Sequence, residues 1–267
     1  MNLLFWEKIL LYLISFPFIS KLLRFVYSWP LTTLFIPFYI KIFSCNQREM
    51  LKPWWSYPSL RSFFSREINL SERFWDKRKE SFICPVDGKI ASSGQIKKGR
   101  LMQVKGQEYS LEEFLDDSEK AERYEGGSYL SIYMSPGDYH RIHAPIDAKV
   151  ISVKTLRGRR YPVNHYSRLR IPAIYQKNAR TIVTMSQGNH EFTLVFVGSC
   201  QVGSIKTLFN PAELKGQSQI NKGQQIGYFD FGSTVILLWP PGGFQFENKF
   251  EANNKLKMGQ ILGSLDP

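Results

Sequence analysis

Beyond residue 80 the chain alternates short apolar runs with glycine, proline and polar punctuation. Tyr129–Met134, Lys149–Val153, Thr181–Met185 and Phe192–Val197 are rich in Val, Ile, Tyr, Phe and Thr. Such side chains suit a pleated, half-buried surface, and each run predicts a strand. The last two runs flank Gly188-Asn189, which suits a tight hairpin turn. One helix is expected near Ser110–Lys120, where Ser110 can cap and Glu113 can complete a capping box. The pattern predicts a mostly β (α+β) protein whose core, residues 81–267, is a compact β-barrel or sandwich.

Residues 1–45 obey a different rule. Apolar and aromatic side chains dominate, and the few charges are mostly basic: Lys8, Lys21, Arg24 and Lys41. The longest charge-free runs, Ile9–Ser20 and Phe25–Ile40, fall short of the roughly 20 apolar residues that a spanning helix needs. The second also contains Pro30 and Pro37, and no small-residue cleavage site follows either run. Short helices lying in a membrane interface are expected, with basic residues at the headgroups and Trp and Phe in the acyl boundary. A helical hairpin packed on the protein's own core is the plainer reading. Residues 46–80 form a polar, aromatic-rich connector that includes Trp54, Trp55, Phe63 and Phe64.

Charge sharpens this picture. Thirty-five Lys and Arg against 23 Asp and Glu leave a net charge of +12 over 267 residues, which suits an anionic partner. Nucleic acid and anionic membrane are the usual candidates, and the apolar N-terminus favours membrane. Cys45, Cys84 and Cys200 are widely spaced and odd in number, so neither a disulfide framework nor a cysteine zinc site is signalled. A reducing compartment is the simplest reading.

Three stretches concentrate residues able to do chemistry. Cys84–Ile90 holds Asp87-Gly88, which by itself reads as a turn at a strand start. Ser135–Pro145 carries His140 and His143, two of only four histidines, and histidine is the side chain best suited to proton transfer near neutral pH. No further Cys/His cluster completes a metal-ligand set, so no metal is expected. Tyr228–Leu238 places Gly232-Ser233-Thr234 inside a strongly apolar strand, where glycine marks a bulge or a close backbone approach. Asp, His and Ser in that chain order leave a serine hydrolase open, although Ser233 has no G-x-S-x-G setting. A non-catalytic membrane adaptor on a β fold also stays open.

The same stretches resemble a known family. Gly232-Ser233-Thr234, preceded by Lys222-Gly223 and Ile226-Gly227-Tyr228-Phe229, closely resembles the processing site of bacterial phosphatidylserine decarboxylases. Their usual motif is Leu-Gly-Ser-Thr, and Phe231 stands here for the leucine. Pro85–Gly88, Lys105-Gly106, Tyr109–Leu111, the Ser135–Pro145 run, Val163–His165, Asn178, Arg180, Val197-Gly198 and Val202–Ile205 are similar to family segments, in the family's order. The resemblance covers about residues 58–240. Gly137 departs from it, since many relatives carry a larger polar residue there.

The resemblance implies a role for each matching residue. Asp87, His143 and Ser233 fall on the family's self-processing triad, and His140 falls on a histidine implicated in decarboxylation. It implies a cut between Gly232 and Ser233, giving a β chain of residues 1–232 and an α chain of residues 233–267. The cofactor would be a pyruvoyl group derived from Ser233, which takes up the electrons released by loss of carbon dioxide. Phosphatidylserine would be the substrate and phosphatidylethanolamine the product. Also implied are a phospholipid-membrane partner, a heterodimer of the protein's own two chains with homo-oligomers open, no nucleic acid, and a peripheral place on the cytoplasmic face of the cell membrane.

Overall fold

The structure, a computed structural model, describes residues 5–104, 106–199, 205–208, 219–230, 233–247 and 250–265. Lys105, Cys200, Val202–Ser204, Phe231 and Gly232, singled out from the sequence, lie outside the described residues.

The N-terminal region folds as short helices, as its broken apolar runs predict: α1 (Phe5–Ile14), α2 (Pro17–Tyr27), a 3-10 turn over Pro30–Phe35 and α3 (Ile36–Phe43). Prolines 17, 30 and 37 each sit at the first or second position of their element, where a missing N–H costs nothing. Among the described residues no helix is long and apolar enough to cross a membrane. The connector is more than a linker. Its helix α4 (Leu60–Phe64), closed by a Ser59–Ser62 capping box, buries Phe63 and Phe64 completely. Ile36, Ile40, Cys45, Tyr57, Leu60 and Phe63 pack together and fasten α3 to α4.

Then follow β1 (Ser81–Ile83), β2 (Gly88–Gln95), β3 (Arg100–Val104), β4 (Gln107–Ser110), α5 (Leu111–Leu115), α6 (Ser118–Arg123), β5 (Ser128–Met134), β6 (Arg141–His143) and β7 (Ala148–Leu156). After these come α7 (His165–Arg170), α8 (Ile174–Lys177), β8 (Arg180–Gln187), β9 (His190–Val197), β10 (Ile205–Thr207), β11 (Gln219–Ile220) and β12 (Gln225–Phe229). The last are β13 (Ser233–Trp239), β14 (Phe244–Phe246), β15 (Lys255–Leu256) and β16 (Ile261–Leu265). All four expected strands exist, and β8 and β9 form the expected hairpin, Gln187 opposite His190 with Gly188 at φ +56°.

The expected helix near Ser110–Lys120 is two helices. Ser110 Oγ accepts from Glu113 N at 3.3 Å, as a cap should, but Asp116 turns left-handed (φ 53°) and Asp117 caps a second helix. The barrel expectation is also corrected. The main sheet has eight strands in the order β11-β7-β8-β9-β13-β5-β2-β15, all pairs antiparallel. Its ends, β11 and β15, are two-residue strands on opposite edges, and no sheet closes on itself. Both faces of the sheet are covered instead. One buries Val183, Leu194, Phe196, Val235 and Leu237, and the other buries Ile182, Val195, Ile236 and Leu238. This two-sided burial is why β13 reads as a continuous apolar run. A second sheet, β10-β12-β6, lies beside the start of β13.

Candidate active site

Ser233 opens β13, the strand flanked by β9 and β5 in the middle of the main sheet. It is fully buried, faces Met134 across the ladder, and its hydroxyl donates to Met134 Sδ at 3.2 Å. A thioether is a weak acceptor, so this hydroxyl is held with little competition for its proton.

The segment 135–140 leaves β5 directly opposite Ser233 and ends at His140, whose carbonyl accepts from Phe229 N at 3.0 Å. Both ends of this segment are therefore stitched to the strands on either side of the Gly232-Ser233 bond. Other elements pin its middle. Asp138 Oδ2 accepts from Ser135 N, Tyr39 Oη donates to Pro136 O at 2.7 Å, and Arg66 Nη2 donates to Gly137 O at 2.7 Å and Asp138 O at 3.3 Å. The departure at Gly137 has a steric reason, since a Cβ there would meet Phe43 O at 2.0 Å.

His140 is fully buried and packs against Phe64, ring centroids 4.0 Å apart and planes tilted by 46°. Its Nδ1 lies 2.9 Å from Asp138 O. A carbonyl can only accept, so Nδ1 carries the proton and Nε2 presents a bare lone pair. That Nε2 is buried without a partner among the described residues. Burial, opposed by the Asp138 carbonyl and joined by the Arg66 charge, lowers the His140 pKa to about 3. The ring is neutral near pH 7, with Nε2 open as an acceptor.

His143 ends β6, opposite Gln225 of β12. Its backbone N donates to Pro85 O at 2.9 Å, which draws the Asp87 segment alongside. Nδ1 donates to Gly223 O at 2.7 Å, so Nε2 is the acceptor, taking the Tyr139 hydroxyl at 2.8 Å. This tautomer leaves Nε2 as the basic atom. Burial lowers its pKa, against the raising effects of the Gly223 carbonyl and the Asp87 charge.

Asp87 is occupied elsewhere. Arg73 grips it bidentately at 2.9 and 2.7 Å, and Met258 N donates to it at 2.7 Å. Arg73, itself buried, also pairs with Glu49 at 2.7 Å; burial works against its charge, and the two carboxylates outweigh it. The structure thus brings Asp87 near His143 as a charge, while Gly223 O fixes the tautomer that a triad would assign to the carboxylate. Among the described residues no hydrogen bond joins His143 to Ser233 or to Asp87. Gly232, the other half of the expected scissile bond, lies outside the described residues.

Tyr139, Arg66 and Arg73 carry this site and had no role in the sequence reading. Tyr139 sits between the two histidines and could have been flagged by adjacency. Arg66 and Arg73 lie in the connector, and nothing in their local sequence announces their partners.

The family model described as phosphatidylserine decarboxylase matches residues 60–264. The chain belongs to the phosphatidylserine decarboxylase family. A phosphatidylserine decarboxylase proenzyme of Bacillus thuringiensis subsp. konkukian is 33% identical over 247 residues, covering 92% of each chain. That of Brevibacillus brevis is 34% identical over 259 residues, again 92% of each chain. One from Bacillus mycoides matches at 33% over 247 residues. The matched span includes α4, the strands β1 to β15 and all of β16 but its last residue, and His140, His143 and Ser233. It omits α1 to α3, so the family likeness by model rests on the β core.

Proposed function

We propose that this chain is a proenzyme that cuts itself between Gly232 and Ser233 and then decarboxylates phosphatidylserine to phosphatidylethanolamine. The observation that carries the reading is Ser233 itself. A family-matching serine stands fully buried at the head of the central strand, and the segment leaving the strand opposite it leads to two neutral histidines whose Nδ1 protons are held by carbonyls.

In the cut, His143 Nε2 accepts the Ser233 hydroxyl proton, relayed by or exchanged with the Tyr139 hydroxyl that now occupies it. The serine oxygen attacks the Gly232 carbonyl and the amide N–C bond breaks, leaving an ester and a free amine at residue 233. Loss of the residue 233 α-proton then expels the Gly232 carboxylate and leaves dehydroalanine. Its imine tautomer takes up water and releases ammonia, leaving a pyruvoyl group. Asp87, locked by Arg73, supports His143 as a fixed negative charge nearby.

The site suits such a group at residue 233, since it is sealed from water and His140 Nε2 is a buried atom without a partner. A pyruvoyl ketone supplies the carbonyl that holds the substrate amine and the sink for electrons left by carbon dioxide. His140 cannot donate from a bare Nε2. The proton that the substrate amine must lose to react passes to Nε2 only with the substrate in place, when its carboxylate offsets the burial that lowers the ring's pKa, and His140 then returns it to the headgroup carbon. Asp138 O and Arg66 keep its ring in the orientation needed.

The protein works at a lipid surface, attached peripherally on the cytoplasmic face. Trp6, Phe18, Leu22, Phe25, Trp29, Leu34, Phe35, Phe38 and Ile42 are exposed along the N-terminal helices, an apolar surface that supports interfacial binding. Intact mass under denaturing conditions tests the whole reading. Two chains are expected, the smaller one ammonia lighter than residues 233–267 with a free serine. A single uncut chain with no carbon dioxide release would overturn it.

A further inference from the structure

A cavity of about 540 Å³ lies between α2 and the ends of β7, β8 and β9. Lys21, Arg157, Arg160 and Arg180 line it, and none of its described lining residues is acidic. Arg180 is saturated, because its guanidinium donates to the carbonyls of Phe114, Gln176, Asn178 and Glu113 at 2.6–3.1 Å. Lys21, Arg157 and Arg160 make no ion pair among the described residues. Arg160 is half-buried and holds the α1–α2 turn, with its backbone N on Ser15 O and Nη1 on Pro17 O at 3.4 Å. Burial and the neighbouring Arg24 charge lower its pKa, as expected where cations crowd without an anion.

The position of this cavity gives it meaning. Thr234 pairs with Val197, the last pair between β13 and β9, so Ser233 and Gly198 are the next residues along the two neighbouring chains. Phe196 and Val235 share one core cluster, and the strand alternation puts Gly198 and Ser233 on that same face. Gly198 lines the cavity, so its floor lies at the end of the strand next to the one that Ser233 opens. Pro17 and Lys21 of α2 also line the cavity, and Phe18, Leu22, Phe25 and Trp29, each one residue on from the Pro17, Lys21, Arg24 and Ser28 row, lie exposed on the adjoining helix face.

We infer that this cavity binds the phosphodiester of the phospholipid substrate, with Arg157, Arg160 and Lys21 as its ligands. The inference rests on the decarboxylase reading and adds where the substrate is held. Guanidinium pairs match phosphate oxygens geometrically, which favours Arg over Lys at the two core positions. The headgroup amine then points across Gly198 to residue 233, and the acyl chains leave along the apolar face of α2.

The test uses full-length protein with the Arg157→Gln/Arg160→Gln pair, the Arg157→Lys/Arg160→Lys pair, and Lys21→Gln as a milder variant. Self-cleavage on a gel reports folding, and a wild type that neither cuts nor decarboxylates sinks the parent reading rather than this one. Dihexanoylphosphatidylserine kept below its critical micelle concentration removes vesicle docking from the measurement. Loss of two charge-assisted contacts should raise KM about tenfold or more in the Gln pair, with kcat changing far less. Lys21→Gln should raise it about threefold, and the Lys pair should recover part of the loss. Inorganic phosphate should compete in wild type and fail to compete in the Gln pair. An unchanged KM overturns the inference. If phosphate inhibition alone is lost, the cavity is a free-phosphate site; if kcat falls alone, the arginines act by positioning.

Discussion

His140 and His143 lie three residues apart, yet their surroundings differ, and the proposal gives them different tasks. His143 already has Tyr139 on its basic nitrogen, whereas among the described residues the buried lone pair of His140 has no partner. His143→Ala should therefore remain one chain on a denaturing gel. His140→Ala should yield two chains and release carbon dioxide about 10²–10⁴-fold more slowly. Normal cutting by His143→Ala would reverse the assignment. Ser233→Ala should neither cut nor decarboxylate, because nucleophile and cofactor precursor are the same side chain.

Their burial also makes stability depend on pH. An unfolded histidine takes up a proton near pH 6.5, but folded His140 refuses it until about pH 3. Between those values the unfolded chain binds more protons, so folding loses stability as pH falls below 6.5 and the loss ends near pH 3. His143 acts in the same direction. A melting temperature measured from pH 7 to pH 5 should fall, and His140→Asn, whose amide can still donate to Asp138 O, should flatten that slope. An equal slope in the variant would remove His140 as a cause.

At the scale of elements, the N-terminal helices that carry the proposed lipid surface also pack on the site. The end of α3 leaves no room for a side chain at Gly137, and Tyr39 of α3 holds Pro136 O. Gly137→Ala should push α3 off the loop at a cost of about 1–3 kcal/mol, the usual range for overpacking, read as a lower melting temperature and slower decarboxylation. The lipid-facing role is separable. Phe18→Ser/Leu22→Ser/Phe25→Ser alters only exposed side chains of α2. Each buried apolar side chain contributes about 1.5–3 kcal/mol, so the triple variant should stop floating with anionic vesicles yet still cut itself.

Those elements differ in how far the sequence revealed them. β5, β7, β8 and β9 were legible because Val, Ile, Phe and Thr recur where the sheet buries one or both faces. β11 and β15 are two residues each and β6 three, too short for any pattern to form. The break at Asp116-Asp117 was hidden because a capping aspartate also reads as a helix's acidic turn. His140, His143, Asp87 and Ser233 could be named from motif order, but not that Asp87 would face Arg73. That partnership spans fourteen residues between a connector and a strand start, and only folding brings them together.

For the whole molecule, a net charge of +12 and one aromatic-rich surface predict binding to anionic vesicles that weakens as salt rises. The cut itself acts on a larger scale than the bond it breaks. Residues 233–265 carry β13 to β16, and β13 is held by seven paired residues of β5 on one side and five of β9 on the other. The two chains should therefore co-elute in native buffer and separate only in denaturant. Unfolding a precursor and refolding it is a first-order affair, indifferent to dilution. Once the bond is gone, the middle of the sheet must be recruited from a separate molecule, so recovery becomes second-order. Diluting denatured mature protein tenfold should slow its recovery about tenfold, while denatured Ser233→Ala precursor recovers at the same rate throughout. The proposed cut would thus trade a chain that refolds on its own for an enzyme whose lifetime is set by how rarely it lets go of its central strand.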